Sequence, residues 1–273
     1  MSTAASPIGI FDSGLGGLTV VREVIRQLPH ERIIYFGDTA RVPYGPKSPD
    51  TVRRYSHEIS AYLKSQDVKA IVVACNTATA HALPTLQGEL SIPVVGVVDP
   101  GARAAVAASR RRELGVIGTA GTIGSGAYER AIRTIAPDAH ILARACPLFV
   151  PLVEEGWLDK DATRLIAREY LTPLQEAGVD TLVLGCTHYP LLKPLLAEIL
   201  GDDVVLIDSA HETAAETARV LGSRGLLATG DAAGPNDPPT HRFIASDAPD
   251  HFLRLGQRFL GSTIECVEHL TLG

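Results

Sequence analysis

The chain has 273 residues, of which 45% are apolar and 21% are charged, a composition typical of a soluble globular protein with one large or two ordinary α/β domains. Its formal net charge of −6 argues against nucleic acid or an anionic membrane surface as the main partner, but not against a small anionic substrate held by backbone N–H groups. Residues 1–7 lack the pattern of a secretory signal, and no apolar run reaches the ~20 residues of a membrane span. We therefore expect a cytoplasmic protein with reduced thiols and no membrane contact.

Apolar, β-branched segments alternate with longer amphipathic segments along the chain. The predicted strands are Ile8–Phe11, Arg32–Phe36, Ala70–Ala74, Val94–Val98, Leu114–Ile117, His140–Ala143, Thr181–Leu184 and Val204–Ile207. The predicted helices include Leu18–Gln27, Pro49–Ser65, Arg103–Ala108, Gly126–Ile135, Lys160–Glu176 and Glu212–Leu221. Because the strands are continuously apolar, the sequence predicts an α/β fold with mainly parallel sheets covered on both faces.

The C-terminal part of the chain continues this pattern after a break. The Pro- and Gly-rich stretch Thr229–Pro239 is predicted to be an exposed loop. Beyond it, Arg242–Ala245 and Ile264–Val267 are predicted as strands on either side of a helix at Ala248–Phe259.

An internal repeat relates the two halves of the sequence. When Cys75 is aligned with Cys186, the segments before the two cysteines match. Each is an apolar strand followed by the cysteine and then by two polar residues. A shift of 106 residues sets the strand at Gly9 against the strand at Gly115, and a third pair matches at a shift of 109. Three matches in the same order, at nearly one spacing, predict a duplicated α/β unit.

Cys75 and Cys186 each follow directly after a predicted strand. Ligands of parallel α/β sheets bind beyond the carboxyl ends of the strands. If the duplicated units face each other, the two sulfurs meet across one cleft, which suits removal of a proton from one face of a carbon atom and delivery to the other. A single cysteine there is usually a small core residue, but two at duplicated positions favour catalysis.

A thiol suits this chemistry because its pKa of ~8.5 falls at a helix N-terminus or beside a cation. One cysteine can then act as thiolate while the other acts as thiol. We expect helix N-termini after both Cys75 and Cys186 to favour the thiolates. His188 is placed to exchange a proton near Cys186, and Asp12 near Cys75.

The remaining cysteines, Cys146 and Cys266, lack polar surroundings of this kind and are interpreted as structural. All four cysteines are expected to be free thiols in a reducing compartment. The sequence contains no CxxC pair, so it predicts no metal site.

Other polar or glycine-rich segments have structural as well as functional explanations. The glycines of residues 14–17 could bind a phosphate or a carboxylate, or form a tight strand-to-helix turn, and they match neither GxGxxG nor a P-loop. Tyr44 lies in a turn and could close over a ligand. Asn76, Thr77 and Thr187 could cap helices or bind a carboxylate, and the two tasks are compatible.

Taken together, these segments resemble the glutamate racemases. The matching motifs are GIFDSGLGGL from Gly9, GDTARVPYG from Gly37, ACNTA from Ala74 and GCTHYP from Gly185, in the order and spacing of that family. The similarity runs from about Ile8 to the C-terminus.

The resemblance implies two similar α/β domains related by a pseudo-twofold axis, with the active site in the cleft between them. It places the first domain at residues 1–98 plus 210–273 and the second at 99–209. It implies a cofactor-independent isomerase, without a metal, that interconverts L- and D-glutamate, with Cys186 acting on the L and Cys75 on the D enantiomer. The assisting catalytic groups that it implies are Asp12 and His188. The implied substrate contacts are Asp12, Ser13, Tyr44, Gly45, Asn76, Thr77, Thr187 and His188.

The resemblance further implies a bacterial enzyme that supplies D-glutamate for peptidoglycan. The resemblance also makes a homodimer possible, and some relatives associate with DNA gyrase. No residue of this sequence tests either expectation.

Three rival interpretations stay open at this stage. An aspartate racemase shares the paired-cysteine plan, and the sequence alone does not size the pocket. A thiol–metal protein would use Cys75, Cys186 and His188 as zinc ligands. A phosphate-binding regulator built on the glycine-rich turns would leave the paired cysteines without a purpose.

Overall fold

A computed structural model of the chain describes residues 3–229 and 240–272. Its strands are β1 Ile8–Asp12, β2 Ile33–Gly37, β3 Ala70–Val73, β4 Val94–Gly96, β5 Glu113–Gly118, β6 His140–Ala145, β7 Thr181–Gly185, β8 Val205–Asp208, β9 Arg242–Ala245 and β10 Glu268–His269. Its α-helices are α1 Leu18–Gln27, α2 Pro49–Ser65, α3 Asn76–Glu89, α4 Val98–Ala108, α5 Ala120–Gly124, α6 Ala127–Ile135, α7 Phe149–Glu154, α8 Asp161–Glu176, α9 Lys193–Leu200, α10 Ser209–Ser223 and α11 Pro249–Leu260. Short 3₁₀ turns lie at Thr39–Arg41, Tyr189–Leu192 and Gly261–Thr263.

The strands form two sheets in which every pairing is parallel. One sheet has the order β10-β9-β2-β1-β3-β4 and the other has the order β6-β5-β7-β8. The second sheet therefore repeats the β2-β1-β3-β4 part of the first. The predicted fold class and the predicted duplication of an α/β unit are confirmed. We call β1–β4 with their connecting helices the first unit, and β5–β8 with theirs the second unit.

The central strands β1, β3 and β7 are buried along their whole length because helices cover both faces of each sheet. In the first unit, α1 packs against α10 and α11 on one face while α2 packs against α3 on the other. A single apolar core joins the two units, since the buried residues of β1 and α1 belong to the same cluster as those of α8 and β7. Each fully buried Val, Leu or Ile contributes about 1.5–3 kcal/mol to this core.

Two predicted strands differ from the structure. Val98, predicted as the end of a strand, is the first residue of α4, because β4 ends at Gly96 and the Asp-Pro pair that follows suits the first turn of a helix. The predicted strand Ile264–Val267 is wrong. Ile264 is buried against Gly256 of α11 as part of a loop, and the edge strand β10 begins only at Glu268.

The predicted loop Thr229–Pro239 lies, apart from Thr229, outside the described residues. In the described part of the chain, no helix combines the length and the apolar character needed to cross a membrane.

Candidate active site

The carboxyl ends of four strands, two from each unit, meet at one cavity. Ser13 follows β1, Cys75 follows β3, Thr119 follows β5 and Cys186 follows β7. The full lining of the cavity is Ser13, Val42, Pro43, Tyr44, Gly45, Cys75, Asn76, Thr77, Thr119, Val150, Cys186, Thr187 and His188. Every site residue predicted from the sequence is among them except Asp12.

The open space inside this cavity is about 30 Å³. That volume holds about two water molecules. An amino acid is several times larger than this volume.

The sulfur of Cys75 lies at the beginning of α3, where it caps the helix. It accepts a hydrogen bond from the backbone N–H of Ala78 at 3.4 Å and is 3.8 Å from the Ser13 hydroxyl. The sequence predicts that this helix N-terminus lowers the pKa of the thiol, and that prediction is wrong for the net effect. Burial, reinforced by the charge of Asp12, raises the pKa of Cys75 to about 12. Cys75 is therefore a thiol at neutral pH.

Cys186 has a different neighbourhood, built from His188 and Glu154. The Nδ1 of His188 is 3.8 Å from the Cys186 sulfur, and its Nε2 is 3.0 Å from a carboxylate oxygen of Glu154. Burial acts to lower the pKa of His188, but its hydrogen bonds and charge interactions with Cys186 and Glu154 outweigh burial and raise the pKa to about 10. His188 is therefore an imidazolium at neutral pH, with one N–H toward each partner.

The predicted helix N-terminus after Cys186 is not present. The backbone N–H of Tyr189 bonds to the Cys186 carbonyl at 3.1 Å, and the chain then makes the 3₁₀ turn Tyr189–Leu192 before α9 begins. Pro190 within that turn has no N–H to offer an anion. The positive charge near Cys186 comes from the side chain of His188 instead.

Asp12 lies behind the wall of the cavity, fully buried. Its carboxylate accepts hydrogen bonds from the backbone N–H of Gly14 at 3.0 Å and from the Thr187 hydroxyl at 3.4 Å. Burial raises the pKa of Asp12, against the opposing effects of His188 and these hydrogen bonds. Asp12 thus joins β1 of the first unit to the Cys186 loop of the second, and it acts on Cys75 through its charge.

The loop at Tyr44 and Gly45 forms another wall of the cavity. The Tyr44 hydroxyl donates a hydrogen bond to Asp38, which holds the buried ring in place. A Cβ on Gly45 would lie 3.0 Å from the Cβ of Thr119, so glycine allows this loop of the first unit to approach the second unit closely. The peptide bond before Pro43 is cis.

Asn76 and Thr77 present hydrogen-bonding groups at the start of α3. The carbonyl oxygen of the Asn76 side chain accepts a hydrogen bond from Tyr128, whereas its Nδ2 is buried and has no partner among the described residues. The Thr77 hydroxyl lies 2.9 Å from that of Thr119 and 3.1 Å from that of Thr122. A buried N–H donor without a partner is rare and costly, so this group is suited to a carboxylate ligand.

Sequence reasoning missed Glu154, Thr122 and Tyr128. Each lies on a helix of the second unit and reaches the site only through tertiary packing, so no motif marks them. All four cysteines are free thiols in the structure. Across residues 3–229 and 240–272, no group of three or more His, Cys, Asp or Glu side chains could hold a metal ion.

Comparison with known proteins identifies the family. The family model for Asp/Glu/Hydantoin racemases matches residues 8–217. A glutamate racemase from Geobacter metallireducens is 57% identical over 265 residues, which cover 97% of this chain and 96% of that protein. The crystal structure of a glutamate racemase isoform from Bacillus anthracis has a TM-score of 0.91 and 43% identity, with 98% of this chain and 97% of that chain covered. A glutamate racemase from Francisella tularensis, crystallised with D-glutamate, has a TM-score of 0.90 and 38% identity, with 98% of each chain covered. The resemblance noted from the motifs is thereby confirmed, and the chain belongs to the Asp/Glu/Hydantoin racemase family.

Proposed function

We propose that this protein is a cofactor-independent glutamate racemase that uses Cys75 and Cys186 as its two acid–base groups. One observation carries the proposal: two thiols from duplicated strand ends line the same cavity, one beside an imidazolium and one in a buried position beside a carboxylate. The relatives named above, including the one crystallised with D-glutamate, support glutamate as the substrate. An aspartate racemase is the second candidate, because the matching family model includes aspartate racemases as well as glutamate racemases.

The reaction removes the α-proton from one face of the α-carbon and delivers a proton to the opposite face. The Cys186 thiolate takes the α-proton of L-glutamate, and the electron pair of the C–H bond stays on the carbon atom as a carbanion. The Cys75 thiol then gives its proton to the opposite face, which yields D-glutamate and leaves a Cys75 thiolate and a Cys186 thiol. The reverse reaction restores the starting protonation state. The assignment of each cysteine to one enantiomer follows the family resemblance.

The polar groups around the sulfurs suit the charges of glutamate. We assign the carboxylates to the Asn76 Nδ2 and to the hydroxyls of Thr77 and Thr187, because all three line the cavity. Ser13, Tyr44 and Gly45 complete the walls. The charge of Asp12 helps to raise the pKa of Cys75, and His188 contacts the Cys186 sulfur.

In the cell, we propose that the product supplies D-glutamate for peptidoglycan in the bacterial cytoplasm, and thereby serves cell-wall biogenesis and cell shape. We keep residues 1–98 plus 210–273 and residues 99–209 as the proposed domains. A homodimer and an association with DNA gyrase rest on the resemblance alone.

The direct test is incubation of the purified protein with L-glutamate and, in parallel, with L-aspartate. Circular dichroism would follow loss of the L enantiomer, without added pyridoxal phosphate and after exhaustive dialysis against EDTA. We expect glutamate to racemise fully under these conditions and aspartate, which is one methylene shorter, to react ~10–200-fold more slowly. Activity that disappears on dialysis and returns with zinc would contradict the proposed mechanism, and faster turnover of aspartate would change the substrate.

A further prediction concerns Glu154, whose carboxylate helps to raise the pKa of His188. Because that pKa is raised from 6.5 to about 10 in the folded protein, protonated His188 stabilises the fold fully below pH 6.5, and this stabilisation is lost as the pH rises through about 10. Glu154→Gln removes the negative charge beside the Nε2 of His188, so we expect the pKa of His188 to fall. The pH range over which protonated His188 stabilises the fold should then end at a lower pH. Racemisation at neutral to mildly alkaline pH should decrease ~10–100-fold.

Thermal unfolding measured from about pH 6 to 10 checks this expectation. The melting temperature of the wild type should fall more steeply over the upper part of this range than that of Glu154→Gln. The raised pKa of Cys75 also makes the stability of the fold decrease with pH, but at higher pH. Because Cys75 is present in both proteins, it does not produce the difference between their melting curves. Glu155→Gln, at the exposed neighbouring residue, is the matched control. Parallel pH profiles for the wild type and Glu154→Gln would show that Glu154 does not set the charge of His188.

A further inference from the structure

Tyr128 is a buried residue of the second unit, and its side chain contacts Asn76, a cavity residue of the first unit. It lies in the first turn of α6, and its side chain is 1% exposed. The ring fits between two glycines, because a Cβ on Gly185 would lie 3.0 Å from one ring edge and a Cβ on Gly101 would lie 3.4 Å from the other. Gly185 is the residue immediately before Cys186. The ring therefore packs closely against the backbone on both sides.

The hydroxyl of Tyr128 donates a hydrogen bond to the Oδ1 of Asn76 at 2.7 Å. Burial raises the pKa of Tyr128, so the phenol keeps its proton and remains a donor. The Ser209 side chain also interacts with this hydroxyl and acts to lower the pKa of Tyr128, an effect that burial outweighs. Toward Asn76, the Tyr128 hydroxyl is the donor and the side-chain oxygen of Asn76 is the acceptor.

This arrangement settles which way the Asn76 amide faces. An amide group has a carbonyl acceptor on one side and an NH₂ donor on the other. Because Tyr128 occupies the carbonyl side, the NH₂ group faces away from it. That group is the buried donor without a partner among the described residues, and Asn76 lines the cavity.

We propose that Tyr128 is a positioning residue for the reaction, and that its hydroxyl fixes the Asn76 amide with Nδ2 toward the cavity to bind a substrate carboxylate. The proposal rests on the proposed glutamate racemase function. Tyr128 and Asn76 belong to different units, so the amide is oriented only while the two units are in contact as they are here. Tyr128 thereby couples the binding of the carboxylate to the relative position of the units.

The test is a double-mutant cycle on KM and kcat with the variants Tyr128→Phe, Asn76→Ala and the combination of both. Tyr128→Phe keeps the ring between the two glycines and removes only the donor. We expect it to raise KM for both enantiomers ~5–20-fold, with kcat within ~3-fold of the wild type, because a lost binding contact raises KM while kcat is unchanged. In the Asn76→Ala background, Tyr128→Phe should change KM less than ~2-fold.

Several outcomes would overturn the inference. An unchanged KM for Tyr128→Phe would do so, as would an equal rise in KM with and without the Asn76 side chain, since a merely structural role does not depend on Asn76. Tyr170→Phe is the control for loss of a tyrosine hydroxyl in the second unit, and its KM should match that of the wild type. If Tyr128→Phe does not fold, Ser209→Ala takes its place. It should raise KM ~2–3-fold, and only while Asn76 is present. A wild-type protein that does not racemise glutamate at all would refute the proposed function itself, before any variant is compared.

Discussion

Replacing either Cys75 or Cys186 by serine is expected to abolish racemisation, with kcat lowered at least ~10³-fold in both directions. Each enantiomer presents its α-hydrogen to only one sulfur, because inversion moves that hydrogen to the opposite face of the α-carbon. A serine hydroxyl is a far weaker acid than a thiol, so neither removal of the proton from one face nor delivery to the other can proceed at a useful rate. Optical rotation or circular dichroism with L- and D-glutamate measures the loss.

The two serine variants should also differ from each other in heavy water. Cys75→Ser retains the Cys186–His188 pair and is expected to exchange the α-hydrogen of one enantiomer slowly for deuterium without inversion. Cys186→Ser should show the opposite preference, and its exchange should be slower, because burial raises the pKa of Cys75 to about 12 and, among the described residues, no imidazolium contacts its sulfur. Cys266→Ser, at the exposed cysteine, is the control and should keep wild-type activity. Near wild-type racemisation by either active-site variant would end the two-cysteine mechanism.

Much of the fold could be predicted from the sequence because its signals are local. The strands β1, β3 and β7 contain apolar runs that are visible in the sequence. The alignment of Cys75 with Cys186 indicated the duplication, which the repeated strand order confirms. The prediction was wrong where local pattern and tertiary packing disagree. Ile264 is as apolar as a strand residue, but its side chain packs into the core from a loop.

The site was predictable only in the residues that adjoin strand ends. The rule that ligands bind at the carboxyl ends of parallel strands leads to Cys75 and Cys186, and the residues next to them in the motifs follow. Glu154 and Tyr128 precede the Cys186 loop by several elements of structure, and only the packing of α7 and α6 brings them to His188 and Asn76. Sequence motifs carry no trace of such contacts.

The electrostatics of the cysteines were the least predictable feature. A helix N-terminus does meet Cys75, as expected from the sequence, and the Ala78 N–H does act to lower its pKa. Burial and the charge of Asp12 oppose that effect and exceed it. Burial of Cys75 and its proximity to Asp12 both follow from long-range packing, the latter from the pairing of β1 with β3, so the sign of the shift belongs to the tertiary structure.

The second large effect is expected at Gly16, in the turn between β1 and α1. A Cβ at this position would lie 2.2 Å from the Thr187 Oγ1 and 2.5 Å from the His188 Nδ1. Neither side chain can move away freely. The Thr187 hydroxyl donates a hydrogen bond to Asp12 at 3.4 Å and the Thr187 carbonyl accepts one from the Thr19 hydroxyl at 3.1 Å. His188 is buried between Cys186 and Glu154.

Gly16→Ala therefore has to displace the imidazolium from the Cys186 sulfur, and we expect kcat/KM to fall at least ~100-fold because a displacement of about 1 Å costs on that order. Gly16 does not have a positive φ, so alanine adds no backbone strain and the variant should fold. Gly88→Ala is the matched control, since a Cβ there meets nothing within 4 Å and lies on α3, which begins at the other cysteine. Gly16→Ala should melt below Gly88→Ala, because overpacking costs ~1–3 kcal/mol, but it should stay folded at the assay temperature, and only Gly16→Ala should lose racemisation. If Gly16→Ala kept wild-type kcat/KM, the contact of His188 with Cys186 would not be what the reaction requires.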